Sequence, residues 1–520
     1  MWDRMRIAGR MARAAVVLGR YGPGLASVRA APASGNGADA ARRTREKALR
    51  FARALTRLGP SYIKLGQFLA TRPDLVGVPT AQGLAELQDR LPPFDETVAR
   101  RLVEAEFRRP LRELFTEFGA PVAAASIAQV HRAAVAADGG HGAVPRAVKV
   151  LRPGVVRNFE RDLRGLRWMA GMIEGLSAEG RRLLPGRAVE ELRGWVRREM
   201  DLRLEGAAAA ELAENMREDP EFRVPAVDWR RTSARVLTTE WVDGIPLRDR
   251  EALRAAGHDP ARLARLVLRC FLKQSLRDGF FHADMHPGNL MVDGEGRLVA
   301  VDFGIMGRLD HTTRSTYAEI LFGMLTRDYM RAANAHFDAG YVPEHHSRAD
   351  FALAVRAICE PIWGLPAHEM SMGRLLTQLF EVTRQFDMKM RPELLLLQKT
   401  MLVAEGVARD LDPDVNVWEV ARPILEDWMT EHLSPEARLR DAAETAADLG
   451  RIAARMPAAL EKMERAAILL NETLDGDGVR LHPETAKAIG GAEARATRAS
   501  RWALVAALAA AVAALAGIFS

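Results

Sequence analysis

Asp284, Asn289 and Asp302 fall within one string, FFHADMHPGNLMVDGEGRLVAVDFG at residues 280–304. Two carboxylates and an amide are hard oxygen donors of the kind a magnesium-bound nucleotide needs. Their order is H-x-D-x-x-x-x-N followed, thirteen residues after Asn289, by Asp-Phe-Gly. Kinase-type phosphoryl-transfer sites set out a catalytic-loop acid, here Asp284, and two metal ligands, here Asn289 and Asp302, in that order. The tripeptide alone says little; the spacing says more. Between Asn289 and Asp302 lie LMV and LVAV, two short apolar strands joined by the turn signal DGEG. A hairpin there brings both ligand candidates to one mouth. The competing reading is a surface hairpin with incidental carboxylates.

Such a site also needs a phosphate-anchoring lysine on an upstream strand. Lys149 lies inside the β-branched apolar run Ala147 to Leu151. A half-buried lysine there requires a carboxylate partner. Otherwise it is an edge-strand lysine that guards against aggregation. The partner should come from a following helix, and the proline-free stretch from Glu191 to Met216 reads as one. It offers Glu199, Asp201 and Glu205. In one continuous helix Asp201 and Glu205 share a face and Glu199 is turned away from Glu205. One of the three pairs with Lys149 and another reaches metal or a second lysine, unless all belong to a solvated face with Arg197, Arg198 and Arg203.

No G-x-G-x-x-G precedes Lys149. Residues 121–137 read PVAAASIAQVHRAAVAA instead, with Ala123, Ala124, Ala125, Ser126 and Ile127 where phosphates would be covered. Alanine lacks the conformational range of glycine and favours helix, so a helical turn offering N–H groups is expected. TTEWVDGIPL, 238–247, reads as the hinge between two lobes, where adenine would meet backbone groups near Glu240 and Val242. Ala283 stands where many protein kinases carry arginine, and residues 305–335 hold no proline and no A-P-E element. A phosphorylated activation loop and a peptide-docking platform are therefore not expected.

These departures, taken together, resemble the UbiB (AarF) family of atypical kinase-like proteins. KLGQ at Lys64 to Gln67, LQDRLPPF at 87–94, AAASIAQVHRA, Glu199-Met200-Asp201 and HADMHPGN all match its motifs in order, from about Leu58 to Gly307. The resemblance implies an α+β, protein-kinase-like two-lobed fold whose helical N-terminal extension packs across the cleft. It implies ATP and Mg2+ as cofactors, ATPase activity with weak or absent protein kinase activity, and a role in ubiquinone or other prenyl-lipid synthesis. Quinone precursors and other ubiquinone-biosynthesis enzymes become the expected partners. Lys149 is then the nucleotide lysine, Asp284 the catalytic-loop acid, and Asn289 and Asp302 the metal ligands. Lys64 and Gln67 join them as the extension's contribution. Three apart on a helix that starts near Ser61, they share a face able to read phosphates or the acidic cluster.

The 520 residues give a net charge of +6, and the first fifty carry eleven Lys or Arg against three acids. MWDRMRIAGRMARAAVVLGRYG reads as a basic amphipathic helix lying on anionic lipid. Nucleic acid is not an expected partner, because the basic residues are not interleaved with stacking aromatics. Two cysteines without a C-x-x-C fit a reducing cytoplasm, and the histidines suggest no metal-ligand triad. Residues 502–519, WALVAALAAAVAALAGIF, are eighteen uncharged residues, about 27 Å as a helix against a hydrocarbon core of about 30 Å. Arg495, Arg498 and Arg501 precede them. The expectation is a C-terminal transmembrane helix in the bacterial inner membrane with the catalytic part cytoplasmic. Small residues along the span suit helix association and so a homodimer. An interfacial Ala-rich helix is the alternative.

The expected organisation is a basic helix at 1–30, a helical extension at 42–118, an N-lobe with a helical insertion at 119–242 and a helical C-lobe at 243–440. Further helices occupy 441–501, before the anchor at 502–519. The preferred function is a membrane-attached kinase-like ATPase. A nucleotide-gated scaffold or lipid-binding protein and a conventional protein kinase are the alternatives.

Overall fold

The computed structural model describes residues 37–70, 76, 80, 83–84, 91–137, 142–176, 185–363, 382–383, 385–388 and 391–433. The expected basic helix at 1–30 and all of the chain beyond 433, including the expected span at 502–519, lie outside them. Among the described residues no helix is long and apolar enough to cross a membrane.

Helices α1 (Gly37–Leu58) and α2 (Pro60–Ala70) come first, then α3 (Glu96–Phe107). Gly59 sits between α1 and α2 at φ +103°, and Pro60 opens α2 with its φ already helical. Strands β1 (Glu117–Ala124), β2 (Ala128–Ala136), β3 (Ala143–Leu151) and β5 (Val236–Glu240) form an antiparallel sheet in the order β1-β2-β3-β5. Pro121, which cannot donate to a ladder, lies on edge strand β1, at an irregularity in its pairing with β2. Between β3 and β5 run α4 (Val155–Leu176), α5 (Pro185–Glu199), α6 (Leu202–Asn215) and the two-residue strand β4 (Phe222–Arg223).

Both faces of the sheet are covered. Val148 and Val150 of β3 pack with Phe118, Val135 and Val236 against Val103 of α3. Leu151 points the other way, into a core with Phe159, Leu163, Leu192, Val196 and Phe68 of α2. Strand alternation puts Lys149 on that second side, where the three inserted helices lie.

The second half is mainly helical. Strand β6 (Gly244–Pro246) leads to α7 (Arg250–Ala255) and α8 (Pro260–Leu272), which passes into a single π-helical turn, Lys273–Asp278. Three pieces of strand follow: β7 (Phe280–His282), β8 (Leu290–Asp293) and β9 (Leu298–Ala300); β10 (Met306–Arg308) then returns antiparallel to β7. The ladder β4-β9-β8-β6 carries the hairpin. Its turn is built by Asp293, whose carboxylate accepts from the amides of Glu295 and Arg297 while Gly296 takes φ +75°. β10 lies so close to β7 that a Cβ on Gly307 would come within 2.1 Å of the Phe281 ring. Helices α9 (His311–Leu325), α10 (Tyr329–Asp338), α11 (Arg348–Trp363), α12 (Pro392–Leu411) and α13 (Val417–Leu433) follow.

Two local expectations are corrected. The stretch from Glu191 is two helices, because Asp201 leaves the helical region at φ −111°, ψ 93° and caps α6 through the Arg203 amide. A short carboxylate satisfies an orphan amide at a new helix start better than it serves mid-helix. The alanine-rich segment is no helical turn: Ala123 and Ala124 pair with Val130 and Gln129, and Ala125, Ser126 and Ile127 form the hairpin tip. Strand pairing and burial override alanine's helical preference here.

Candidate active site

Lys149 of β3, Glu205 of α6 and Asp302 after β9 converge. The Lys149 ammonium donates to Glu205 Oε1 at 2.7 Å and to Asp302 Oδ1 at 3.2 Å. Lys149 and Glu205 are 16% and 8% exposed, whereas Asp302 keeps 44% of its side chain open. Burial works against the Lys149 charge, but Asp302 and then Glu205 outweigh it and hold the amine protonated well above the usual lysine range. Burial pushes the Glu205 carboxyl up to about 7; the Lys149 ammonium opposes this and the Asp302 charge reinforces it. Asp302 is held at about 2, because Lys149 and the Gly304 amide more than offset its desolvation. One ammonium thus faces two carboxylates, an arrangement with negative charge to spare.

Asp302 is placed by strain as well as by charge. Its φ is +89°, a left-handed conformation rare for a residue with a Cβ. His282 pins it: Nε2 donates to the Asp302 carbonyl at 2.6 Å, and Nδ1 accepts the Asp284 amide at 3.2 Å. Burial holds this imidazole below its usual range, so it stays neutral with both nitrogens used. Gln274, in the π turn, accepts the His282 amide at 3.0 Å.

Asp284 and Asn289 form the other half. Asn289 Nδ2 donates to the Asp284 carbonyl at 3.1 Å and to Asp284 Oδ2 at 3.2 Å. That fixes the amide so that Asn289 Oδ1 is its remaining oxygen donor. Leu290 pairs with Ala300, so Asn289 and Asp302 flank the open end of one hairpin. An amide oxygen and a carboxylate beside surplus negative charge fit a magnesium ion.

The extension packs against the inserted helices. Lys64 of α2, 2% exposed, pairs with Glu199 at the end of α5 and lies 5.8 Å from the Trp195 ring centre. Gln67 Oε1 is buried and has no hydrogen-bond partner among the described residues. Arg152 donates to the carbonyls of Ala125, Pro92 and Leu91, tying the hairpin tip to the segment before α3. Gln129 exchanges hydrogen bonds with the Phe94 backbone at 2.8 and 3.3 Å.

The ABC1 atypical kinase-like domain matches residues 86–336, and the UbiB helical domain matches residues 355–416. The "Probable protein kinase UbiB" of Marinobacter nauticus is 41% identical over 392 residues, which cover 74% of this chain and 71% of that protein. This chain belongs to the UbiB family. Its α+β fold is accordingly kinase-like. A solved structure described as "The complex structure of Rv3197-erythromycin from Mycobacterium tuberculosis" aligns at 23% identity with a TM-score of 0.49, over 72% of this chain and 92% of that chain.

Within the UbiB framework the three candidate carboxylates separate. Glu205 pairs with Lys149, Glu199 with Lys64, and Asp201 binds Arg203 at 2.7 Å while capping α6. At the hinge, the Glu240 carboxylate turns to Arg223 and its amide bonds the Ala226 carbonyl at 2.8 Å; Val242 is buried. After Asp302, β10 and α9 follow at once, without a long intervening loop. Sequence reasoning missed His282, Gln274, Arg152 and Gln129 as positioning residues. It also missed Thr400 of α12, which donates to the Ala283 carbonyl at 3.2 Å and so joins the helical domain to the loop. The histidine of H-x-D and Gln129 within AAASIAQVHRA lay in visible motifs; the others carried no signal.

Proposed function

We propose that this chain is a membrane-attached, atypical kinase-like ATPase whose turnover supports ubiquinone or another prenyl-quinone synthesis, acting on lipid intermediates or on the enzymes that make them. The convergence of Lys149, Glu205 and Asp302 beside the Asn289–Asp284 pair carries the reading. Asp302 and Asn289 would hold magnesium, which when bound neutralises charge on the phosphates. Lys149, kept protonated and aimed by Glu205, anchors phosphate oxygens. Asp284, its carboxylate oriented by Asn289, orients or deprotonates the attacking hydroxyl or water. The hairpin tip at Ala123 to Ile127 covers the phosphates, and the hinge backbone near Glu240 and Val242 borders the base. Lys64 and Gln67 sit over the cleft from the extension.

The rapid return from Asp302 into β10 and α9 offers little surface for a peptide, which disfavours a conventional protein kinase. A nucleotide-gated scaffold is the second reading, favoured by the clamped hairpin tip and the buried Lys64–Glu199 pair. The apolar run 502–519, with Arg495, Arg498 and Arg501 before it, supports attachment to the bacterial inner membrane with the catalytic part cytoplasmic.

Purified full-length protein should hydrolyse ATP with magnesium, and Asp302→Asn should lower the rate by at least ~100-fold, about 3 kcal/mol of transition-state stabilisation. Retained turnover in that variant would sink the metal-ligand assignment. Nucleotide binding with no turnover, with or without lipid, would favour the scaffold. Deleting the gene in its host and extracting lipids tests the pathway: an unchanged quinone pool removes the biosynthetic role and leaves the ATPase.

A further inference from the structure

A second constellation lies away from the cleft. His345 and His346 sit between α10 and α11, and Asp387 precedes α12. One ligand-capable atom from each side chain falls within 4.8 Å of the others. His346 Nε2 is 3.4 Å from Asp387 Oδ2, and the two imidazole centres are 4.1 Å apart with planes tilted by 38°.

Two independent features mark this cluster off from a chance surface grouping. His346 Nε2 is buried and makes no hydrogen bond among the described residues, with the Asp387 carboxylate 3.4 Å away but not aligned to accept from it. A buried polar atom left without such a bond is destabilising unless a ligand satisfies it. Its ring is held by Phe386 at 5.3 Å, and Phe386 meets Phe351 edge-on at 5.0 Å, so the nitrogen cannot readily turn out to water. Asp387 holds φ +49°, an unfavourable backbone for a residue with a Cβ.

We propose that His345, His346 and Asp387 bind one divalent transition-metal ion, with zinc the best match and water as the fourth ligand. Two imidazoles and a carboxylate suit a borderline cation; magnesium and calcium prefer all-oxygen sites. Ligands of tetrahedral zinc stand about 3.3 Å apart. The His346–Asp387 pair, at 3.4 Å, already has that spacing, and exposed His345 has at most about 1.5 Å to close. The ion would fasten the turn that follows the kinase-like domain, which ends at 336, to the helical domain at 355–416.

The test uses full-length protein purified without a histidine tag or nickel resin and stripped with chelator. Asp302→Asn is the parent, to silence the nucleotide-site metal. Zinc is titrated by calorimetry, cobalt by visible absorption, and apparent Tm is followed. One equivalent is expected with a Kd of about 1 μM or tighter. A four-coordinate cobalt spectrum and a rise in Tm should accompany it. Asp387→Asn, exposed enough not to disturb folding, and His345→Gln should each weaken binding at least ~10-fold. A parent Kd weaker than ~1 μM, or equal binding by parent and variants, overturns the proposal.

Discussion

At Lys149 a single positive charge answers two carboxylates, and that imbalance decides what each substitution costs. Removing the ammonium leaves buried Glu205 and half-open Asp302 facing one another with no cation between them. Removing Glu205 leaves Lys149 paired with the half-open Asp302. Lys149→Met should therefore destabilise the nucleotide-free protein by about 3 kcal/mol, near the low end for breaking a buried pair. Glu205→Gln should cost about 1 kcal/mol, since one partner survives near solvent. Thermal unfolding compared side by side checks the order; a greater loss from Glu205→Gln would contradict the triad. The lysine's need for a carboxylate was legible in the sequence, because an apolar β-branched run cannot bury an ammonium alone. Its identity was not, because selection depends on where the helix breaks. The strain at Asp302 was equally invisible: a φ of +89° is imposed by His282 and Lys149, and no local residue type announces it.

Elements read from pattern alone succeed where the signal is strong and local. The strands around DGEG were legible because Asp293 and Gly296 give the turn its own geometry. The segment from Glu191 misled because a capping aspartate inside a run of helix formers looks like one more surface acid. The break at Met200 resets the phase, sending Glu199 to Lys64 and Glu205 to Lys149 instead of aligning Asp201 with Glu205. If Asp201 acts as cap and not as a metal or phosphate group, then Asp201→Ala should cost about 1 kcal/mol while Asp201→Asn is nearly neutral. Both variants should keep magnesium-dependent ATP hydrolysis within about twofold of the parent once folded. A collapse of turnover in folded Asp201→Asn would return this residue to the chemistry. The alanine-rich tip makes the complementary point. Composition favours helix, but the ladder to β2 and the carbonyl taken by Arg152 decide otherwise, and both partners are distant in sequence.

Across the molecule, the chain before the sheet is held by polar attachments in addition to the apolar packing of α2 and α3. Lys64 pairs with Glu199, Gln129 clasps the Phe94 backbone, and Arg152 gathers carbonyls from Leu91 and Pro92 on one side and Ala125 on the other. None of these pairings is local, so the motifs KLGQ, LPPF and SIAQ were visible as motifs while their mutual contacts were not. The arrangement couples the extension to the hairpin tip: what loosens one must loosen the other. Arg152→Ala leaves the Pro92 and Ala125 carbonyls without this donor and removes the link. The reporter is the Phe94 amide, which donates to Gln129 and is protected only while the segment stays docked. Its hydrogen exchange should quicken at least ~10-fold in Arg152→Ala, equivalent to about 1.4 kcal/mol of lost local stability. Amides in the Val148–Val150 core of β3 should change by less than about twofold, because that core packs on α3 through contacts Arg152 does not share. Uniform acceleration throughout the sheet would mean that Arg152 supports the fold at large, and unchanged exchange at Phe94 would mean that Lys64 and Gln129 hold the extension without it.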